Sequence, residues 1–161
     1  VKEFQDEYFV GQGLVVDAAC SDFNRLDDII SVAASLLDTP QNQDGLIDLC
    51  FLAESPKVIT AGRGYAQTAQ QLEALAILTT STGHLDDFLE LLSNRAKLLS
   101  SCVFVLNGLN EANTKMVQAI EEKGVPIAIF MVVDDTDETA IIPDDVLLIH
   151  CGDVESGLAN L

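Results

Sequence analysis

Four oxygen-bearing side chains stand where an α/β chain would present them to a ligand: Asp17, Ser21, Thr82 and Asn107. Asp17 follows the apolar run Leu14-Val15-Val16, and Asn107 follows Cys102-Val103-Phe104-Val105-Leu106. Ser21 comes four residues after Asp17, and Thr82 lies in the turn Thr79-Thr80-Ser81-Thr82-Gly83. Carboxylate, hydroxyl and amide oxygens are the donors that a hard cation such as Mg²⁺ takes. The same groups have a purely structural use. Asp17 and Ser21 can tie down a loop, and Ser21 or Asp22 can cap the first turn of a following helix.

Other chemistries lack a necessary residue. Gly11-Gln12-Gly13 precedes an apolar run instead of following one, so it is no dinucleotide fingerprint, and no Walker lysine pattern occurs. Gly62-Arg63-Gly64 has Gln67 where a third glycine belongs and reads as a turn. His150-Cys151 has the look of a phosphatase nucleophile, but the position six residues on is Gly157, not the arginine that would hold a phosphate. His84 and His150 sit at no metal-ligand spacing from a cysteine. Cys20 has only Arg25 nearby to depress its pKa. Asp134-Asp135-Thr136-Asp137-Glu138 lacks the central glycine and closing glutamate of a calcium loop and reads as a solvated acidic loop running to Asp145.

The elements that must position these residues alternate regularly. Phe23, Leu26, Ile29, Ile30, Ala33, Ala34 and Leu37 recur at helical steps, and Pro40 stops that helix. Leu46 to Leu52 is a strand, paired across Glu54-Ser55-Pro56 with Lys57 to Thr60. Leu72, Leu75, Ala76 and Leu78 mark a second helix, and Leu85, Phe88, Leu89, Leu92 and Ala96 a third. The Cys102–Leu106 run is apolar throughout, as a strand covered on both faces must be. Met116, Val117 and Ile120 give a fourth helix closed by Gly124, and Ile127 to Val133 and Val146 to Ile149 are further strands. This order predicts a doubly wound, mostly parallel α/β sheet with helices on both faces and one antiparallel edge strand. In such sheets the ligand crevice lies beyond the carboxyl ends of the strands, where Asp17 and Asn107 fall.

The order of elements resembles a von Willebrand factor A-like domain. Those domains carry a metal-ion-dependent adhesion site built from D-x-S-x-S, a threonine in a glycine-rich turn, and an aspartate after the fourth strand. Asp17-Ala18-Ala19-Cys20-Ser21 matches the first motif at Asp17 and Ser21, with Ala19 in place of the first serine. Thr82 matches the threonine, and Asn107-Gly108 stands where Asp-Gly is usual. The resemblance therefore implies a degenerate site. The loss of one hydroxyl and one negative charge weakens any Mg²⁺ or other divalent cation held there.

A narrower likeness runs through Val1-Lys2-Glu3-Phe4-Gln5, Asp17, Ala33-Ala34-Ser35-Leu36, Asp48-Leu49-Cys50-Phe51, Gly62-Arg63-Gly64 and Leu72-Glu73-Ala74-Leu75-Ala76. It is similar to the bacterial domain-of-unknown-function family fifty-eight. That family implies membrane helices upstream and a working association with MoxR-type AAA+ ATPases in assembly or maturation of protein complexes. It also implies that residues 1–161 are one domain, the cytoplasmic C-terminal part of a membrane-anchored protein.

Composition fits this picture. Eight Lys and Arg against 26 Asp and Glu give a formal net charge of −18. Such a surface repels nucleic acid and anionic membranes and favours a basic protein partner or a divalent cation. The four cysteines are widely spaced, three of them in or at the ends of apolar runs, and read as reduced, structural thiols. No apolar run reaches the length of a spanning helix, so direct membrane insertion by this segment is not expected. Two functional classes follow: a non-catalytic protein-interaction module using the rim at Asp17, Ser21, Asp22, Thr82 and Asn107, or a flavodoxin-like small-ligand or phosphate-binding domain or enzyme using Asp17 at the crevice. A purely structural domain is a third reading.

Overall fold

The computed structural model describes residues 11–39, 46–60, 65–134 and 145–159. In chain order the elements are β1 (Gly11–Val16), α1 (Phe23–Leu37), β2 (Leu46–Leu52), β3 (Pro56–Thr60), α2 (Tyr65–Ala76), α3 (Leu85–Ala96), β4 (Ser101–Asn107), α4 (Glu111–Glu121), β5 (Ile127–Val133), β6 (Val146–His150) and α5 (Val154–Ala159). The strands form one sheet in the order β3-β2-β1-β4-β5-β6. All neighbours are parallel except β2 and β3, which pair antiparallel with Leu52 opposite Pro56. The expected doubly wound sheet with one antiparallel edge strand is what the chain forms.

Alternation along each strand divides the core into two layers. Leu14, Val16, Leu49, Phe51, Val105 and Val132 pack against α1, together with Leu75 of α2. Val15, Cys50, Phe104 and Leu106 point the other way, onto Phe88 and Leu92 of α3 and Met116 and Ile120 of α4. Gly124 follows α4 with φ +76°, a left-handed conformation that glycine adopts without a Cβ clash.

Two expectations need correction, and one element was not foreseen. Phe23 belongs to the apolar stripe by spacing, yet it is 82% exposed, while Val32 is fully buried. Phe23 is the first residue of α1, and a helical side chain leans toward the helix N-terminus, which carries it past the end of the sheet. Gly11-Gln12-Gly13 is part of β1 and does not lead into it. A Cβ on Gly13 would stand 2.7 Å from Leu99 Cδ1, so glycine is what lets that side chain pack on the strand. Helix α5 was not anticipated, since its six residues are too few to show a period. The Val1–Gln5 stretch, Pro40, Gly62-Arg63-Gly64 and the greater part of the acidic loop (135–144) lie outside the described residues.

Candidate functional site: the rim at the carboxyl ends of the strands

The strand order reverses direction between β1 and β4, which are hydrogen-bonded neighbours. The chain leaves β1 for α1 on one sheet face and leaves β4 for α4 on the other. The two exits diverge and open a crevice at the strand ends. Asp17 is placed there because its backbone N–H still extends the ladder, donating to Val105 O at 2.9 Å.

Asp17 is 4% exposed, and its carboxylate is occupied by the protein's own donors. Oδ1 accepts from the N–H of Ala19 at 3.0 Å, and Oδ2 accepts from the N–H of Asn107 at 3.1 Å. The side-chain amide of Asn113, from the first turn of α4, also bonds it. Burial pushes the Asp17 carboxyl above its ordinary value of 3.8, against the pull of the Ala19 and Asn107 N–H groups and the Asn113 amide. Asn113 Nδ2 donates to Gly108 O at 2.8 Å as well, which holds the turn after β4, where Gly108 has φ +72°. Asn107 Nδ2 donates back to Ala19 O at 3.1 Å. The β1 and β4 exits are thus cross-linked by a ring of hydrogen bonds.

A second set of bonds brings in the turn before α3. Thr80 Oγ1 donates to Cys20 O at 2.6 Å, and Ser81 N–H donates to Ala18 O at 2.9 Å. On the far side, the N–H groups of Thr82 and Gly83 both donate to Ala53 O in the β2–β3 turn, at 3.1 and 2.7 Å. A Cβ on Gly83 would come within 2.7–2.9 Å of Leu52 Cδ1, Glu54 O and Ala53 O, so this approach requires glycine. Ser21 and Thr82 themselves are exposed on the rim. Asp22 is the N-cap of α1, its side chain accepting from the N–H groups of Asn24 and Arg25. Sequence reasoning named Asp17 and Asn107, which do meet. It missed Thr80 and Asn113, whose signal was only a hydroxyl in a threonine-rich turn and an amide after the helix cap Asn110.

Whether these residues fit a divalent cation can be judged from the donor set. Both Asp17 oxygens already receive N–H groups, and Ala19 brings no oxygen on its side chain. Asn107 Oδ1 is a buried acceptor with no donor, yet its own Nδ2 is turned to Ala19 O and fixes the amide in place. Among the described residues, no three His, Cys, Asp or Glu side chains gather as a metal would require. The arrangement does not fit a tightly held Mg²⁺.

The remaining chemistry is sparse. Cys20, Cys50, Cys102 and Cys151 are free thiols. Burial pushes Cys50 up to about 12 and raises Cys20, Cys102 and Cys151 as well, the opposite of what a nucleophile requires. A groove of about 290 Å³ is lined by Phe130, Leu147, Leu148 and His150 among others. A second, of about 450 Å³, lies between β3 and α3 at Pro56, Val58 and Arg95. Neither is lined by Asp17 or Asn107. Among the described residues, no helix is long and apolar enough to cross a membrane.

No protein-family model matches the sequence, and no curated protein matches it either. Solved structures do match in shape. The SpRpn10 VWA domain is similar with a TM-score of 0.53 at 13% identity, over 95% of this chain and 95% of that one. Manganese-loaded Plasmodium vivax TRAP protein is similar with a TM-score of 0.55 at 12% identity, over 93% of this chain and 70% of that one. The conserved hypothetical protein BatB from Bacteroides thetaiotaomicron is similar with a TM-score of 0.51 at 11% identity. That match covers 76% of this chain and 65% of BatB. The fold is therefore that of a von Willebrand factor A-like domain.

Proposed function

We propose that the chain is a non-catalytic protein-interaction module that makes its contact through the rim around Asp17, Ser21, Asp22, Thr82 and Asn107. One observation carries the reading: the buried carboxylate of Asp17, where the β1 and β4 exits meet, accepts from Ala19 N–H on one oxygen and Asn107 N–H on the other. Asp17 therefore acts as the rim's internal brace. The metal-ion-dependent adhesion site is degenerate in this reading, and any divalent cation bound at Asp17, Ser21, Thr82 and Asn107 is weak. What the rim offers a partner is a rigid set of loops in an acidic surface. Neither of the two grooves described above is lined by Asp17.

The finer reading follows the sequence likeness to domain-of-unknown-function family fifty-eight. The partner is then a MoxR-type AAA+ ATPase, and the domain works on the cytosolic side of a membrane-anchored parent in assembly or maturation of protein complexes. The test is binding of a purified MoxR-type ATPase from the same genome, compared between the unaltered chain and a Ser21→Lys/Thr82→Lys variant. Both positions are exposed, so the fold tolerates the change. Weaker binding by the variant is the expected result. Equal binding by both would remove the rim from the account, and absence of binding by either would remove the ATPase.

A further inference from the structure

Six large hydrophobic side chains are exposed among the described residues, and three of them stand at one end of the molecule. Phe23 is 82% exposed at the start of α1, Ile77 81% just after α2, and Leu109 51% in the turn between β4 and α4. The topology puts all three beyond the carboxyl ends of the strands. α1 and α4 begin there, and α2, which follows the antiparallel β3, ends there. The loops that carry them are the ones already stitched together through Asn107–Ala19 and Thr80–Cys20. Isolated exposed apolar residues need no explanation, but a group on one rigid rim marks an interaction surface.

The charge around this group is mostly negative, with Lys57 an exposed cation beside the β2–β3 turn. Asp22, Glu54, Asp86, Glu111, Asp134 and Asp153 lie at the same end, in loops or first helical turns. Near the β1–β4 exits the cations are Arg25 and Lys115, and each is matched by a carboxylate, Asp134 at 3.6 Å and Glu111 at 3.1 Å. At the centre of the rim, the Asp17 carboxylate is buried and turned to the N–H groups of Ala19 and Asn107.

We infer that this end of the molecule docks a basic segment of a partner protein without a bridging metal. Large apolar side chains of that segment seat on Phe23, Ile77 and Leu109, and its lysines or arginines face the surrounding carboxylates. The inference rests on the rim reading above and names the partner's chemistry. Apolar anchors supply the affinity, and the surrounding charge steers and orders the encounter.

The test is to pan a display library of random peptides against the full chain, once with chelator and once with Mg²⁺ in place of it. The selected peptides are then measured against Phe23→Ser, a Phe23→Ser/Ile77→Ser/Leu109→Ser variant, the Ser21→Lys/Thr82→Lys variant and Asp17→Ala, and at low and high salt. The single variant guards against misfolding of the triple one, and its melting curve should match the parent. The expected peptides combine Lys or Arg with aromatic or large aliphatic residues and survive chelation. Their affinity falls with salt, and about tenfold or more in the triple variant. Acidic peptides recovered only with Mg²⁺, and lost in Asp17→Ala, would overturn the inference and leave the rim reading standing. Peptides indifferent to Phe23, Ile77, Leu109, Ser21 and Thr82 alike would overturn both. No enrichment, or self-association of the chain through this surface, would overturn the inference alone.

Discussion

Asp17 Oδ2 accepts a hydrogen bond at 3.1 Å from the N–H of Asn107, a residue 90 positions further along the chain. That bond closes the gap between the β1 and β4 exits, where a parallel sheet has no further ladder bonds to hold its ends together. It ties the two exits together at the mouth of the crevice.

Removing the brace should cost stability. Asp17→Ala leaves the N–H groups of Ala19 and Asn107 without their acceptor in a buried setting, while the Asn113 amide keeps its bond to Gly108 O. The expected loss is about 2–4 kcal/mol, read as a lower urea midpoint with an unchanged slope. A loss below about 0.5 kcal/mol would mean the ring of bonds is dispensable.

The same carboxylate has a predictable pH signature. Its folded pKa is raised above 3.8, chiefly by burial, so the folded state binds a proton more readily than the unfolded state does. The contribution of Asp17 is therefore fully present below the unfolded value and diminishes as pH rises through the folded one. Asp17→Asn cannot titrate. The stability of the parent relative to Asp17→Asn should accordingly fall from about pH 4 upward and then level off. A parent that gains on the variant as pH rises would show that the bound N–H groups outweigh desolvation.

A second buried polar group anchors α2. Gln71 is 1% exposed, and its Nε2 donates to Ile47 O at 2.7 Å and Ile59 O at 2.9 Å, joining the helix to β2 and β3. Gln71→Ala should destabilise by about 2–3 kcal/mol through two unsatisfied carbonyls and a cavity. Gln71→Glu should cost more, because it loses the donor and buries a charge. Chemical denaturation of both variants checks the order; the reverse order would show that shape, not donation, matters at this position.

Thiol reactivity provides an independent check on the core. Cys20, Cys50 and Cys102 are buried and Cys151 is partly exposed, and Cys50 is pushed up to about 12. In the folded protein a thiol reagent should modify Cys151 first and reach Cys50 and Cys102 only on unfolding. Fast modification of Cys50 or Cys102 would contradict the two-layer core.

Much of the fold was legible because both sheet faces are covered. β2 and β5 are near-continuous apolar runs, and their bounds can be read directly from Leu46–Leu52 and Ile127–Val133. Phe23 misled for the opposite reason: it satisfies the helical period but sits where the sheet has ended, and periodicity carries no record of where a neighbouring element stops. Asp17 and Asn107 were legible as strand-end residues. Gln71 and Asn113 were not, since an amide inside a helix looks solvated until the fold shows what it faces. Thr80 and Thr82 share one short turn, and only its backbone path decides that Thr80 reaches Cys20 O while Thr82 stays exposed.

The most direct test of the account is a thermal melt of the domain in Mg²⁺, Mn²⁺ or Ca²⁺ at constant ionic strength, beside Asp17→Ala and a chelator control. Constant ionic strength is needed because any cation screens a net charge of −18. The account predicts the same melting temperature as in matched monovalent salt, because Asp17 is committed to Ala19 and Asn107. A saturable rise that disappears in Asp17→Ala would contradict it, and would make the rim a working metal site.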